Sequence, residues 1–394
     1  MATDLPNLMH IRAFVRVADL GSVSRACHTL FRAQSVVTRA ISDLEQRLGA
    51  VLFERRANGM LLTDAGKQVL PRAREALAEL ASIAAAGSEP LYLLNTRRLE
   101  VFVRLCASRH MQTVASHFGL TQPAVSAALK VLENGFGEPL FERSVRGLLP
   151  TRAAQERVYP VRRALNALRH MDAELAALHG QVQGAVTIGA LPLGRTRILP
   201  QAITGLLAEH PQVRIATHES PFEWLASELR AGDVDFILGA LRPSDYASDL
   251  HNEPLLTEEM VVLGQRGHPL LEQGVSHHDL AHARWILPRA ATPARQLLDG
   301  YFTELGLEPP VPVVETGDLA LIRGLLLQSG MLAAVSAHQL EYEIANGTLQ
   351  RLPLQLRHTT RAIGLIYRAN ALHSPAALAL MEQVRVAVGG GGQV

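Results

Sequence analysis

The chain has 394 residues, 48% of them hydrophobic, and a formal net charge of +1. This size predicts two to four domains with substantial cores. Two cysteines, Cys27 and Cys106, are too few for a disulfide framework or a zinc site, so we expect a reducing compartment and two packed thiols. With no run of eighteen apolar residues and no secretory signal pattern, we expect a cytoplasmic protein with no membrane contact.

The charge is unevenly distributed along the chain. Residues 1–90 carry a net charge of +2, residues 91–183 carry +5 and residues 184–394 carry −6. A basic first half beside an acidic second half indicates a module that faces a polyanion and a separate module that does not. Ordinary surface variation remains the alternative explanation.

Three short helices are predicted at the start. Residues 8–20 have an amphipathic pattern, and Gly21-Ser22 separates them from a second helix over 23–30. A third helix, 34–48, ends at Gly49. The spacing of its apolar residues predicts a buried stripe, which leaves one polar face exposed. The predicted outward residues are Ser35, Thr38, Arg39 and Ser42, and Gln34 stands at the start of the helix.

Two extended runs, 51–55 and 59–63, predict a two-stranded wing after the third helix. Thr63 is then the expected cap of a long Ala-rich helix from Asp64 to about Ala86.

The same order repeats at a constant offset of 88 residues. Residues 34–41 correspond to 122–129, and the Leu-Phe-Glu-Arg run at 52–55 recurs at 140–143. One register held across some fifty residues predicts an internal duplication. A second long helix, from Arg152 to about His179, follows the second wing.

Each copy resembles the winged helix-turn-helix of LysR-type transcriptional regulators. The second copy has that family's run Gln122-Pro123-Ala124-Val125-Ser126, whereas the first keeps Gln34 and Val37 but has Ser35 and Thr38. The first copy retains Arg39, and the second has Ala127 there. Members of this family normally carry one such domain, so the duplication is unusual.

The resemblance implies that double-stranded promoter DNA is a partner. The predicted base readers are Gln34, Ser35, Thr38 and Arg39 in the first copy and Gln122, Pro123 and Ser126 in the second. The predicted phosphate contacts are Arg55, Arg56, Arg143 and Arg146 in the wings. Alternatively, Arg55 and Arg143 pair with wing or helix glutamates, and whether both copies read bases stays open.

The second half alternates strands with helices. Strands are predicted at 185–190, 213–217 and 234–239, with helices at 196–209 and 221–231 between them, which is the pattern of a parallel sheet. Residues 258–264 and 333–336 are candidate strands, 361–367 is expected to return to the first sheet, and a last helix covers 375–388. This half resembles the effector-binding domain of the same family, a two-lobed α/β fold of the periplasmic-binding-protein type 2 class.

Candidate effector residues follow the predicted strands, because ligands of open α/β sheets bind at the carboxyl ends of strands and helix N-termini attract anions. They are Gly194, Arg195, Thr196, Arg289, Thr292, Thr316 and Asp318. Helix capping by Thr196 and Asp318, with Arg195 in solvent, is the competing explanation for part of this set. The expected ligand is an anion, namely a carboxylate or a sugar-derived metabolite.

The predicted chain is multidomain, with two all-α-rich winged helix-turn-helix domains and an α/β two-lobed effector domain. The expected boundaries are 5–64 and 95–151 for the winged domains, 65–90 and 152–182 for the linker helices, and 183–390 for the effector domain. Its first lobe is assigned to 183–265 and 352–390, and its second to 266–351. We expect no cofactor, metal or enzyme activity, and a homodimer or homotetramer in which linker-helix leucines such as Leu165 and Leu168 pair between copies. The rival function is a transport-associated solute sensor without specific DNA binding.

Overall fold

A computed structural model describes residues 5–56, 59–84, 90–145, 147–243, 246–272, 274–290 and 292–389. Within those ranges, every helix is too short or too polar to cross a bilayer. The predicted phosphate contact Arg146 lies outside the described residues.

The first copy is a three-helix unit followed by a wing and a long helix. Gly21 and Gly49 end the first and third helices in the left-handed conformation, which glycine adopts without a Cβ clash. The elements are α1 (Leu8–Leu20), α2 (Val23–Leu30), α3 (Gln34–Leu48), β1 (Phe53–Arg56), β2 (Gly59–Leu62) and α4 (Asp64–Ser82).

The second copy repeats this order after a 3-10 turn at Leu91–Leu93. Its elements are α5 (Thr96–Ser108), α6 (Met111–Phe118), α7 (Gln122–Phe136), β3 (Phe141–Ser144), β4 (Gly147–Pro150) and α8 (Arg152–Ala177). Equivalent contacts close the two wings: the N–H of Met60 donates to the carbonyl of Gly21, and that of Leu148 to the carbonyl of Arg109, both at 2.9 Å. The two copies therefore have equivalent backbone hydrogen bonds at the predicted offset of 88 residues, as a duplication requires.

The two long helices, α4 and α8, pack against each other within one chain. Ala76, Leu80, Ala164 and Leu165 are at most 1% exposed, and one continuous apolar core joins both copies and both helices. The leucine stripe that the sequence analysis expects to pair between protomers is thus covered by α4, because an apolar stripe does not specify which partner helix covers it.

The second half contains two five-stranded sheets. The first has strand order β6-β5-β7-β14-β8, and the second β11-β10-β12-β9-β13. The strands are β5 (Gly184–Ala190), β6 (Val213–His218), β7 (Phe236–Ala240), β8 (Leu250–Glu258), β9 (Met260–Gln265), β10 (Trp285–Leu287), β11 (Pro312–Glu315), β12 (Leu332–Ser336), β13 (Leu349–Arg351) and β14 (Arg361–Arg368). The helices are α9 (Ile198–Glu209), α10 (Phe222–Ala231), α11 (Pro269–Glu272), α12 (His277–His282), α13 (Pro293–Glu304), α14 (Leu319–Gln328), α15 (Glu341–Ala345) and α16 (Pro375–Gly389).

The chain crosses between the lobes at Glu259 and again before Arg361. Strand β9 pairs with β12 and β13 of the second sheet, although the sequence analysis assigns residues 260–265 to the first lobe. Leu352 and Leu356 also pack in the second lobe's core. The first boundary differs because a single residue, Glu259, separates β8 from β9, and so short a break does not reveal a change of sheet. The predicted return of 361–367 to the first sheet is confirmed by the pairing of β14 with β7.

The first lobe rests on the paired helices α4 and α8. Arg72 of α4 donates to the carbonyl of Leu372 at 2.7 Å, Arg163 of α8 donates to the carbonyl of Arg230 at 2.8 Å, and Arg162 pairs with Asp233. The effector half is consequently in direct contact with both linker helices of its own chain.

Candidate nucleic-acid interface and effector cleft

The exposed face of α3 follows from its apolar spacing. The buried positions are Val37, Ile41 and Leu44. On the other face, Gln34 and Ser35 are exposed and Thr38 is half-buried. The side chain of Arg39 is 84% exposed and lies 3.8 Å from Asp43, a weak surface pair. Its guanidinium is therefore free to turn towards a base edge or a phosphate.

The corresponding face of α7 is also exposed but carries different groups. Gln122, Pro123 and Ser126 are all exposed, as predicted from their positions in the helix, and Ala127 offers no charge. Lys130, one turn further along, is exposed on this helix, whereas its counterpart in α3 is Ser42. Lys130 was not among the predicted contacts, because the matched segments of the two helices end at residues 41 and 129. The 3.6-residue period would have placed it beside Ser126 and Ala127.

The wings are fixed by glutamates that accept backbone hydrogen bonds. Glu45 accepts the N–H of Leu52 at 2.7 Å, and Glu133 accepts the N–H of Leu140 at 2.9 Å. These acids are thus occupied at the base of each wing.

The wing arginines differ in their surroundings. Arg56 pairs with Glu54 at 3.0 Å, while Arg55 and Arg143 are exposed and make no ion pair with any described residue. In the described part of the chain, the alternative pairing of Arg55 and Arg143 with glutamates is absent, which leaves both cations open to solvent.

In the first lobe, the segment after β5 brings Arg195 against the sheet. Its Nε donates to the carbonyl of Ala190 at 2.7 Å, so the side chain does not extend into solvent. Partial burial lowers the pKa of the Arg195 guanidinium, and nearby Glu219 and Asp318 act in the opposite direction. Gly194 is buried, and a Cβ there would lie 2.7 Å from Leu238, so this glycine is required by packing.

In the second lobe, the candidate residues follow two adjacent parallel strands, β10 and β11. Thr292 accepts the N–H of Arg295 at 3.4 Å, and Asp318 accepts those of Ala320 and Leu321 at 2.8 and 3.1 Å. Both side chains cap their helices, α13 and α14, which is the competing explanation for Asp318. Arg289 is exposed, and the Thr316 hydroxyl accepts the N–H of Asp318 at 3.1 Å.

The lobes meet at a polar cluster beside the crossover strands. Thr196 donates to the carbonyl of His338 across the cleft at 3.3 Å and does not cap α9. His338 lies 3.4 Å from the buried carboxylate of Glu258, which also accepts a hydrogen bond from Ser336. Sequence reasoning missed Glu258, Ser336 and His338, because no local motif joins segments about 80 residues apart.

Two protein-family models match this architecture. The bacterial regulatory helix-turn-helix protein, lysR family, matches residues 8–67 and again residues 96–155, and the LysR substrate binding domain matches residues 179–388. Together they cover most of the chain. The chain belongs to the LysR family.

Relatives within the LysR family differ in how much of this chain they match. The HTH-type transcriptional regulator GalR of Pseudomonas putida is 64% identical over 386 residues, 97% of each chain, so both copies fall within the match. The HTH-type transcriptional regulator PcaQ of Agrobacterium fabrum is 30% identical over 303 residues, 75% of this chain and 96% of PcaQ. The chain is thus similar to named transcriptional regulators and is a regulator with an effector-binding domain rather than an enzyme.

Solved LysR-family structures support the fold. A full-length OxyR from Pseudomonas aeruginosa aligns with a TM-score of 0.57 at 21% identity, covering 74% of this chain and 98% of OxyR. Full-length CbnR complexed with its target DNA aligns with a TM-score of 0.53 at 21% identity, covering 74% of this chain and 99% of CbnR. Nearly the full length of each of these two proteins aligns with this chain, and about a quarter of this chain is left without a counterpart.

The junction between the LysR-type effector half and the linker helices contains buried ionisable groups. Burial raises the pKa of the Asp235 carboxyl to about 6, although the Thr187 N–H donates to it at 2.8 Å and Arg72 and Arg368 favour its charged form. Burial lowers the pKa of His170 to about 4, and Arg72 lowers it further. These groups surround a cavity of about 30 Å³, room for roughly one water.

Proposed function

We propose that this regulator binds a promoter operator through its exposed recognition helices, and that a small anionic organic effector held between the two lobes modulates this binding. The observation that carries the proposal is the position of Arg195 after the carboxyl end of β5, where it donates to the Ala190 carbonyl and where Asp318 of the second lobe is near enough to act on its pKa. The DNA-binding side of the proposal rests on family membership and on the two exposed helix faces.

On DNA, the first turns of α3 and α7 are the proposed base readers. Arg39 and Gln34 supply donors suited to guanine and adenine edges, and Thr38 suits a thymine methyl group. In the second copy, Gln122 and Ser126 supply polar contacts and Pro123 an apolar one. Arg55, Arg56, Arg143 and Arg146 neutralise phosphates, which strengthens binding to any sequence and makes it dependent on salt.

In the cleft, Arg195 supplies the charge that a carboxylate requires. The N-terminus of α9 adds free backbone N–H groups, because no side chain caps this helix. Thr196, Arg289 and Thr316 are the proposed hydrogen-bonding groups at the rim. Gly194 permits close packing, while Thr292 and Asp318 hold the ends of α13 and α14 in place. The ligand is expected to displace the Thr196 contact with His338, since both occupy the mouth of the cleft.

Coupling to DNA passes through the first lobe. This lobe contacts α4 through Arg72 and α8 through Arg162 and Arg163, so a change in lobe closure alters forces on both linker helices. An effector that favours one lobe arrangement would shift the population of DNA-binding arrangements by its difference in affinity for the two.

The test begins with a gel shift on the DNA upstream of the gene, at low salt and then at about 150 mM salt, near physiological ionic strength. Thermal stabilisation is measured with benzoate, 4-hydroxybenzoate, gluconate and citrate as probes. We expect specific DNA binding, and stabilisation by at least one organic acid that Arg195→Ala abolishes. Arg214→Ala is the control, because this exposed arginine lies near the start of β6, away from the carboxyl ends of the strands.

Failure to bind any duplex at low salt would contradict the operator proposal. Stabilisation by an acid that survives Arg195→Ala unchanged would show that the effector binds elsewhere.

A further inference from the structure

The pairing of α4 with α8 has a defined direction and register. Gln68 donates to Glu174 at 3.0 Å, and Arg163 forms two hydrogen bonds of 2.7 Å with Glu79. Residue numbers rise along α4 as they fall along α8, so the helices run antiparallel. The register between these contacts places Leu77 opposite Leu165, and both belong to the shared apolar core.

Leu77 and Leu165 occupy equivalent positions, 88 residues apart. Two equivalent helices that run antiparallel and meet at equivalent residues have the geometry of a two-fold axis, in which each side contributes the same patch. The buried positions agree, because Leu70, Ala73, Ala76 and Leu80 on α4 correspond to Val158, Val161, Ala164 and Leu168 on α8, and all are buried.

A second contact joins the two copies at the starts of α1 and α5. The hydroxyl of Thr96 donates to the carbonyl of Pro6 at 3.1 Å. These residues flank Asn7 and Asn95, which cap α1 and α5 at equivalent positions. The two copies therefore also meet beside a second pair of equivalent residues, Asn7 and Asn95.

The charges on the two helices favour unlike pairing. In a pair of two α4 helices with the same register, Glu79 would face Glu75, and in a pair of two α8 helices Arg163 would face Ala167. Only α4 with α8 brings Glu79 opposite Arg163, where both side chains are less than 20% exposed. Opposed glutamates would be costly in a pair of α4 helices, and a pair of α8 helices would leave the half-buried Arg163 without its carboxylate, so the register disfavours pairing of identical helices.

We propose that one chain alone forms a complete two-headed DNA-binding unit, and that this unit recognises an inverted repeat whose two half-sites differ in sequence. A two-fold relation between the heads orients the half-sites as an inverted repeat. Because α3 carries Arg39 and α7 carries Ala127 and Lys130, the two heads favour different bases. This inference rests on the proposed DNA-binding function and adds the architecture of the operator.

The register of α4 and α8 also gives an estimate of the distance between the two half-sites. The first residues of α4 and α8 lie at opposite ends of the pair, roughly 39 Å apart along its length at 1.5 Å of rise per residue. This is close to the separation of about 34–36 Å between half-sites one turn of DNA apart. The heads are thus expected to enter successive major grooves on one side of the duplex.

The decisive experiment is selection of bound duplexes from a random 40-base-pair library, using the full chain and its variants. We expect the wild type to enrich an inverted pair with unequal halves. Arg39→Ala should reduce base preference in one half by about 10-fold or more, and Gln122→Ala should act on the other half. Arg214→Ala, in the effector half, should leave both halves unchanged.

A pair of identical half-sites, both relaxed by Arg39→Ala, would overturn the inference, because it would show two first-copy heads pairing between chains. A single enriched half-site insensitive to Gln122→Ala would overturn it as well. If several chains assemble on one duplex, each chain should still bind its own pair of unequal half-sites. If the wild type enriched no sequence, the proposed DNA-binding function itself would fail, a result distinct from these two.

Cross-linking tests the pairing without DNA. Glu79→Cys combined with Arg163→Cys, treated with a short bis-maleimide, should give an internally linked single chain on a denaturing gel. A covalent dimer would show that α4 and α8 pair between chains and would overturn the proposal. Glu79→Cys alone and the wild type, with its partly buried Cys27 and Cys106, are the controls. The selection experiment stays informative should the double variant fold poorly.

Discussion

The two winged helix-turn-helix copies share their internal contacts but present different side chains on their recognition helices. Thr63 and Thr151 both cap the long helices and donate to the carbonyls of Val51 and Pro139, at 2.6 and 3.0 Å. Packed phenylalanines recur too, Phe14 with Phe53 and Phe102 with Phe141. These contacts are internal, and the duplication has kept them.

The outward faces have diverged. Arg39 corresponds to Ala127, Ser42 to Lys130, and the exposed Phe31 to Gly119, although both of the last pair adopt positive φ. The cap of α3 is Ala33, which forms no side-chain hydrogen bond, while Thr121 caps α7. Folding has therefore constrained the interiors of the two copies alike, whereas their exposed faces have diverged.

The largest expected effect is on stability, and it compares the packing at one pair of equivalent positions inside the two copies. Gly66 and Ala154 are equivalent, but a Cβ on Gly66 would lie 2.2 Å from the carbonyl oxygen of Leu52. Gly66→Ala should therefore cost about 3 kcal/mol through overpacking. Ala154→Gly is the matched control, expected to cost about 0.5–1 kcal/mol. Urea unfolding followed by circular dichroism measures both, and equal losses would contradict a difference in packing.

The next effect separates the recognition faces. Arg39→Ala should weaken binding to the selected operator by about 1–3 kcal/mol, the usual value of a bidentate arginine–guanine contact. Lys130→Ala, in the second copy, should cost less, because lysine binds as a point charge without a planar fork. Binding is measured by fluorescence anisotropy on specific and scrambled duplexes. A larger loss for Lys130→Ala would make the second copy the dominant reader.

A third, smaller effect concerns the caps of α3 and α7, where one substitution should destabilise the chain and the other should stabilise it. Thr121→Ala removes the acceptor for the Ala124 N–H and should cost about 1 kcal/mol. Ala33→Ser introduces the missing cap in α3 and should stabilise the chain by a similar amount. Thermal unfolding of both variants checks the prediction, which fails should Ala33→Ser be neutral or destabilising.

The smallest expected effect concerns the wings. Arg55→Ala and Arg143→Ala should each reduce the slope of log affinity against log salt concentration by about 0.9, the value for one phosphate contact. Base preference should stay unchanged, because phosphate contacts carry no sequence information directly. Titrations at four salt concentrations measure the slopes. An unchanged slope for Arg143→Ala alone would show that only the first wing touches DNA.

Sequence patterns predicted the first half of the chain closely because its signals are local. The helices 8–20, 23–30 and 34–48 were set by caps and apolar spacing, and the structure has the same bounds. The α4–α8 partnership was not predicted, since apolar stripes fit many partners. Glu79 and Arg163 specify this one, but only once the register is known.

The effector half was harder to predict because its short strands depend on distant partners. Four strands were not predicted: β10, β11 and β13, each of three or four residues, and β8, which pairs with β14 more than 100 residues later. At the cleft, the segment containing Arg195 was found from its place after a strand. The Glu258 cluster was not, because its members come together only through the crossover between lobes.

The antiparallel contact between α4 and α8 also bears on how the regulator responds to its own abundance. When the two heads come from separate chains, dilution below the dissociation constant of the dimer makes the concentration of paired heads fall with the square of the protein concentration. Here the second head is tethered to the first, at an effective concentration set by the chain and not by the number of molecules in the cell. Operator occupancy by this unit should therefore rise in simple proportion to protein level, even at a few copies per cell.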